Sequence, residues 1–165
     1  MRPLLLLDVD GPLHPWAADQ PPPGYVECRF RLSWRRKQRM WLNPDHGRLL
    51  GDLADRTGIE LAWASSWGHR ANTTVGPAIG LPALPVVEFA GPHADHHAGW
   101  KYPAVARFAY GRPLAWLDDD FALRPAAREK FLAREPATLL VPVDPSIGVT
   151  AGHVTEIDAW CISLT

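Results

Sequence analysis

Leu4-Leu5-Leu6-Leu7-Asp8-Val9-Asp10-Gly11-Pro12-Leu13 decides how this chain is read. Four successive leucines fit a short strand buried on both faces, as in the middle of a parallel sheet. Two carboxylates separated by one residue follow, where an apolar strand would normally end in neutral turn residues. Strand alternation places Asp8 and Asp10 on one side of the chain, about 6–7 Å apart. Gly11 lets the backbone turn away sharply. Acids at the carboxyl end of a buried parallel strand stand where open α/β sheets bind their ligands. An Asp-x-Asp-Gly run also opens calcium loops, but those need further oxygen ligands and a Glu at fixed spacing, and Pro12 to Asp19 supply none.

The rest of the chain sets bounds. Its 165 residues predict a single domain over 1–165 with enough length for a real core. An apolar fraction of 47% excludes global disorder, and a net charge of −1 gives no overall field favouring nucleic acid or membrane. Cys28 and Cys161, far apart in sequence, fit reduced thiols and a cytoplasmic protein rather than a disulfide framework. No apolar run approaches a membrane span, and the leucine run is too short for a signal peptide. No internal repeat is visible.

Outward from the first strand, residues 12–24 are too rich in proline for a helix and read as a loop. Residues 25–42 alternate. Val26, Cys28, Phe30, Leu32 and Trp34 face one way and Glu27, Arg29, Arg31 and Ser33 the other, which predicts a hairpin with its tip at Arg35-Arg36-Lys37-Gln38. Asn43-Pro44 opens a helix that Gly58 closes. Residues 59–64 are a strand ending in Ser65-Ser66-Trp67, followed by a helix over 69–79. Residues 85–89 are a short strand, 101–110 a helix, and 114–117 a strand ending in Asp118-Asp119-Asp120. Residues 121–134 form a helix, 138–143 a strand and 152–164 a closing helix. Alternation of this kind predicts right-handed crossovers and a central parallel sheet of about five strands with helices on both faces.

Asp8-Val9-Asp10-Gly11 resembles the first motif of the haloacid dehalogenase-like (HAD) superfamily, mostly Mg²⁺-dependent phosphohydrolases, with Pro12 where Thr or Val is usual. Three further pieces fall in the usual order, so the resemblance spans residues 4–120. It implies a three-layer Rossmann-like HAD fold with a β-hairpin flap and no large cap domain, since little chain separates the motifs once core elements are subtracted. It implies Asp8 as a nucleophile forming an aspartyl-phosphate, and Asp10 as general acid and base. Ser65, with adjacent Ser66 as the alternative, matches the serine or threonine that bonds a phosphoryl oxygen; a turn serine is the plain alternative. Lys101 matches the cation that offsets charge on the phosphoryl oxygens. Asp8, the Asp10 carbonyl, Asp118 and Asp119 would supply the protein share of a Mg²⁺ site, with Asp119 and Asp120 as the other register of the acidic run. Three adjacent carboxylates repel one another unless a cation neutralises them.

Two clusters remain. His93-Ala94-Asp95-His96-His97 lacks the cysteine or regular spacing of a zinc site and reads as a solvated loop or a substrate contact at the site mouth. The hairpin carries Arg29, Arg31, Arg35, Arg36, Lys37 and Arg39 with Trp34 and Trp41 among them. Cations interleaved with aromatics can bind a phosphodiester backbone, or can simply be a solvated face. Arg29, Arg31, Trp34 and Trp67 are the candidate substrate contacts. The resemblance also implies that an uncapped, open site goes with large substrates such as nucleic-acid ends or phosphoproteins, and Trp63 to Trp67, Ala71-Asn72 and Trp116 to Asp119 resemble compact HAD modules of nucleic-acid repair systems and small actinobacterial proteins. The function expected is an Mg²⁺-dependent phosphatase acting on such substrates, nucleic-acid ends among them. A small-molecule phosphomonoesterase or phosphotransferase is one alternative, and a silent binding module another.

Overall fold

The computed structural model describes residues 1–89 and 98–164. Its centre is β1 (Leu4–Leu7), flanked by β4 (Glu60–Trp63) and β5 (Leu114–Asp118), with β6 (Thr138–Pro142) beyond β5. All neighbours are parallel. Leu7 pairs with both Trp63 and Leu117, so the residues after them share one edge.

Strand alternation divides the core between the two faces of the sheet. Leu5, Leu7, Ala115 and Leu117 pack on one side with Leu50 and Leu53 of α1 (His46–Thr57) and Ile157 of α5 (Ala151–Ser163). Leu4, Leu6, Leu114 and Trp116 pack on the other with Tyr102 and Val105 of α3 (Ala98–Phe108) and Phe131 of α4 (Pro125–Leu132). A continuous apolar run is what burial on both faces requires. The result is the expected three-layer α/β fold, helices on either side of a parallel sheet.

The sheet has four strands rather than about five. The fifth expected, at 85–89, is reduced to a bridge between Trp63 and Val86, in which Trp63 N–H donates to Pro85 O at 2.9 Å and Val87 N–H to Trp63 O at 2.8 Å. Pro82 and Pro85 have no N–H to extend the ladder. The helix expected over 69–79 is broken into a 3₁₀ turn, Gly68–Thr73, and a short α2, Val75–Ile79, with Thr74 outside helical geometry between them. The helix expected from 121 starts at Pro125, a residue suited to a first turn. Gly47 permits α1 to cross the end of α2, because a Cβ there would lie 2.1 Å from the Ile79 carbonyl oxygen.

The hairpin is β2 (Val26–Arg31) and β3 (Lys37–Leu42), antiparallel with Val26 opposite Leu42. Met40 and Leu42 are buried, and Cys28 and Phe30 pack against the core. Val26 and Trp34 do not share that burial, being 48% and 77% exposed, because the two-stranded ribbon runs past the core at both ends. Trp41 N–H donates to His14 Nδ1 at 3.2 Å and ties the ribbon to the loop after β1.

Candidate active site

The parallel ladder carries three chain segments to one edge. Asp8 N–H donates to Leu117 O at 3.0 Å, and Ala64 N–H to Leu7 O at 2.8 Å. Asp8 and Asp118 therefore stand side by side at the ends of neighbouring strands, and Ser65 lies one residue beyond Ala64, which takes the matching position after β4. Asp8 Oδ1 accepts from Val9 N–H at 2.8 Å, and Asp118 Oδ1 from Asp120 N–H at 3.2 Å. Their other oxygens both accept from the Lys101 ammonium, which reaches the edge from the first turn of α3, at 2.8 Å to Asp8 and 2.6 Å to Asp118. All three side chains are buried. Burial works against the Lys101 charge, but the carboxylates of Asp8 and Asp118 more than offset it and hold the ammonium protonated. Asp118 is pushed up by its own burial, with Lys101 pulling the other way.

Two indoles position the remaining acids. Trp67 Nε1–H donates to Asp10 Oδ2 at 3.0 Å, and Trp16 Nε1–H to Asp119 Oδ2 at 2.9 Å. Burial and the neighbouring Asp8 charge push the Asp10 carboxyl up to about 6, although the Trp67 bond opposes them. Burial likewise raises Asp119 against its bond from Trp16. Gly11 makes room for Asp119. Its φ is +99°, and a Cβ there would lie 2.5 Å from Asp119 Cγ.

One oxygen or more from each of Asp8, Asp118 and Asp119 lies within 4.8 Å of the others. Asp10 is outside that group, and Asp120 turns its backbone N–H toward Asp118. Of the acidic run, Asp118 and Asp119 are the two that the structure brings together with Asp8. Three hard carboxylate donors around one point, with Lys101 the one buried ammonium or guanidinium among the described residues, fit a divalent ion such as Mg²⁺.

Two cavities open here. One of about 250 Å³ is bordered by Asp8, Lys101, Asp118 and Asp119, and one of about 740 Å³ runs between the hairpin and the Ser66–Arg70 turn. Asp10 and Ser66 line both. Ser65 lines neither: it is fully buried and its Oγ accepts from Trp67 N–H at 3.3 Å, the turn role. Both serines lie in the turn beyond β4, which packs Ser65 inward and leaves Ser66 exposed. Of the hairpin candidates, Arg29 is engaged by Glu27 at 2.6 Å, and Arg29, Arg31 and Trp34 border neither cavity because they project from the outer face or the tip. Trp67 does line the larger one. The His93–His97 cluster lies outside the described residues.

A family model for the HAD domain in Swiss Army Knife RNA repair proteins matches residues 4–154. The chain belongs to that family. No curated protein matches it. A HAD domain is a hydrolase of the phosphatase type in general terms, and the superfamily usually works with a divalent metal, for which the aspartate group here is suited. No helix among the described residues is long and apolar enough to cross a membrane.

The sequence reading of this HAD domain missed Trp16, Arg36, Gln38, His69 and Arg70. Trp16 sits in a proline-rich loop with no periodicity to report its direction. Arg36 was visible only as one of six cations on the hairpin, and Arg70 as a surface position of an expected helix.

Proposed function

We propose that this chain is an Mg²⁺-dependent phosphohydrolase working through an aspartyl-phosphate on Asp8, with nucleic-acid phosphate ends as substrates. The observation that carries the reading is the Lys101 ammonium shared between buried Asp8 and Asp118, with Asp119 completing a group of three carboxylates. The family description, which names RNA repair proteins, supports the nucleic-acid substrate.

In this reading a phosphate monoester enters the smaller cavity and Asp8 attacks phosphorus. The bond from phosphorus to the leaving oxygen breaks as Asp10 protonates that oxygen. Asp10 then takes a proton from water, whose oxygen bonds phosphorus and returns Asp8 as a carboxylate. Lys101 offsets charge on the phosphoryl oxygens from a buried position, where such charge counts most. Ser66, which faces the cavities, bonds a phosphoryl oxygen in preference to Ser65. Asp8, Asp118 and Asp119, with the Asp10 carbonyl, would hold the ion, which neutralises phosphoryl charge when bound. The whole of 1–165 acts as one domain, and free Cys28 and Cys161 suit the reducing cytoplasm.

The test is phosphate release from 3′- and 5′-phosphorylated oligonucleotides and from an aryl phosphate, with Mg²⁺ or with chelator. Release is expected only with Mg²⁺ and is lost in Asp8→Asn. Release by Asp8→Asn at the wild-type rate would reject the nucleophile, and no release from any ester by folded protein would reject the enzyme.

A further inference from the structure

The group that protonates a leaving oxygen must touch it, so the leaving group departs past Asp10. On the far side of Asp10 lies the larger cavity, joined to the smaller one at Asp10 and Ser66. Its volume of about 740 Å³ is about three times that of the cavity holding the three carboxylates, and lies within the range of sites for whole ligands rather than single phosphates.

Its walls carry a distinct charge. Arg36 and Gln38 come from the hairpin, His69 and Arg70 from the turn opposite, and Asp10 is the one carboxylate in the lining. His69 is engaged by Glu88 at 2.5 Å. The guanidinium groups of Arg36 and Arg70 form no ion pair among the described residues. Both side chains are exposed and both border the cavity, so an anion entering it meets two guanidinium groups that no described carboxylate engages.

We propose that this cavity is the leaving-group site and that Arg36 and Arg70 hold a second phosphate of the substrate, the phosphodiester adjoining the end that is hydrolysed. The inference rests on the phosphohydrolase reading above and adds a requirement to it: the substrate must be a strand, not a mononucleotide. A nucleic acid always carries another phosphate one link from its terminal one, whereas a phosphopeptide has no obligatory second anion there. Planar guanidinium forks match phosphate oxygens in pairs. The Trp67 indole and the Gln38 amide in the same lining offer a base an aromatic surface and hydrogen bonds without selecting a sequence.

The experiment compares kcat/KM in Mg²⁺ for an aryl phosphate, a nucleoside monophosphate, and dinucleotides carrying a terminal 3′- or 5′-phosphate. One of the two dinucleotides should exceed its mononucleotide by roughly tenfold to a hundredfold, as charge-assisted hydrogen bonds to one added phosphate imply. That ratio should shrink several-fold between about 50 and about 200 mM salt. Arg36→Gln and Arg70→Gln should each bring the ratio down toward one, and Arg70→Lys, which keeps the charge, should hold part of it. A wild-type ratio of one, with aryl phosphate still hydrolysed and that hydrolysis lost in Asp8→Asn, overturns the second-phosphate site and leaves the phosphohydrolase standing. Preference for a phosphoserine peptide over both dinucleotides overturns the nucleic-acid strand. No hydrolysis of any of them overturns both readings.

Discussion

Replacing Lys101 with Met removes one charge from the most buried part of the site and leaves Asp8 and Asp118 facing each other. In the wild type the ammonium lies 2.8 Å from Asp8 and 2.6 Å from Asp118, and the Asp118 side chain is only 1% exposed. Removing one partner of a buried ion pair costs about 3–5 kcal/mol, because the other charge is left without compensation. Set against a total stability of about 5–15 kcal/mol, that is a large fraction. With a urea dependence of about 1–3 kcal/mol per molar, the midpoint in chelator should fall by roughly 1–5 M. Tryptophan emission follows the transition. Mg²⁺ binds only the folded arrangement of carboxylates, so saturating it at about a hundred times its dissociation constant should return about 2.7 kcal/mol. Lys101→Gln, which keeps hydrogen-bond donors but no charge, should fall nearly as far. The pH dependence has a definite sign. Burial raises the Asp118 carboxyl. The folded state then binds a proton the unfolded state releases, so this group's contribution is lost as pH rises from the ordinary carboxylate value to the raised one. Without Lys101 opposing it, that window extends upward and the variant should lose more stability at pH 8 than at pH 6. A chelator midpoint within about 0.3 M of wild type at pH 8 would refute the reasoning that one ammonium compensates two buried carboxylates.

Two further outcomes follow from single residues. His46 is buried, its ring edge-on to Tyr25 at 5.4 Å and its Nδ1 without a hydrogen-bond partner, and burial lowers its pKa from 6.5 to about 4 against a backbone hydrogen bond at Val149. The unfolded chain binds the proton first, so about 3 kcal/mol should be lost as pH falls from 6.5 to 4; His46→Phe should flatten the urea midpoint over that window, and parallel curves for the two proteins would sink the assignment. Gly11→Ala puts a Cβ 2.5 Å from Asp119 Cγ at a φ of +99°. Backbone strain there should cost about 1–3 kcal/mol in a melt, and the displaced carboxylate should weaken Mg²⁺ half-saturation of phosphate release by tenfold or more; unchanged Mg²⁺ dependence would show that Asp119 does not serve the ion.

What could be read from the sequence divides along a physical line. A strand buried on both faces must be apolar throughout, so Leu4–Leu7 and Leu114–Leu117 announced themselves, and the acids that end them followed at once. Positions whose role depends on what comes from elsewhere in the chain were silent. Pro85 looked like the start of a strand because Val86-Val87 follows it, but a strand needs donors from its own backbone, and the segment contributes a single bridge. Ser65 and Ser66 could not be separated, since both follow an apolar strand; the geometry seals Ser65 into the turn beside Trp67 and turns Ser66 to the cavity. Trp16 meets Asp119 across 103 residues, a partnership no local pattern encodes. The same holds for the hairpin cations. Periodicity puts Arg29 and Arg31 on an outer face, where the structure has them, but does not say that the hairpin faces the Ser66–Arg70 turn across the cavity with Arg36, and neither Arg35 nor Lys37, on its border. Charge near a site is legible in a sequence. Which charge faces the substrate is fixed by how a flap docks, and here that docking hangs on contacts such as His14 with Trp41, made between segments that have nothing in common but the fold.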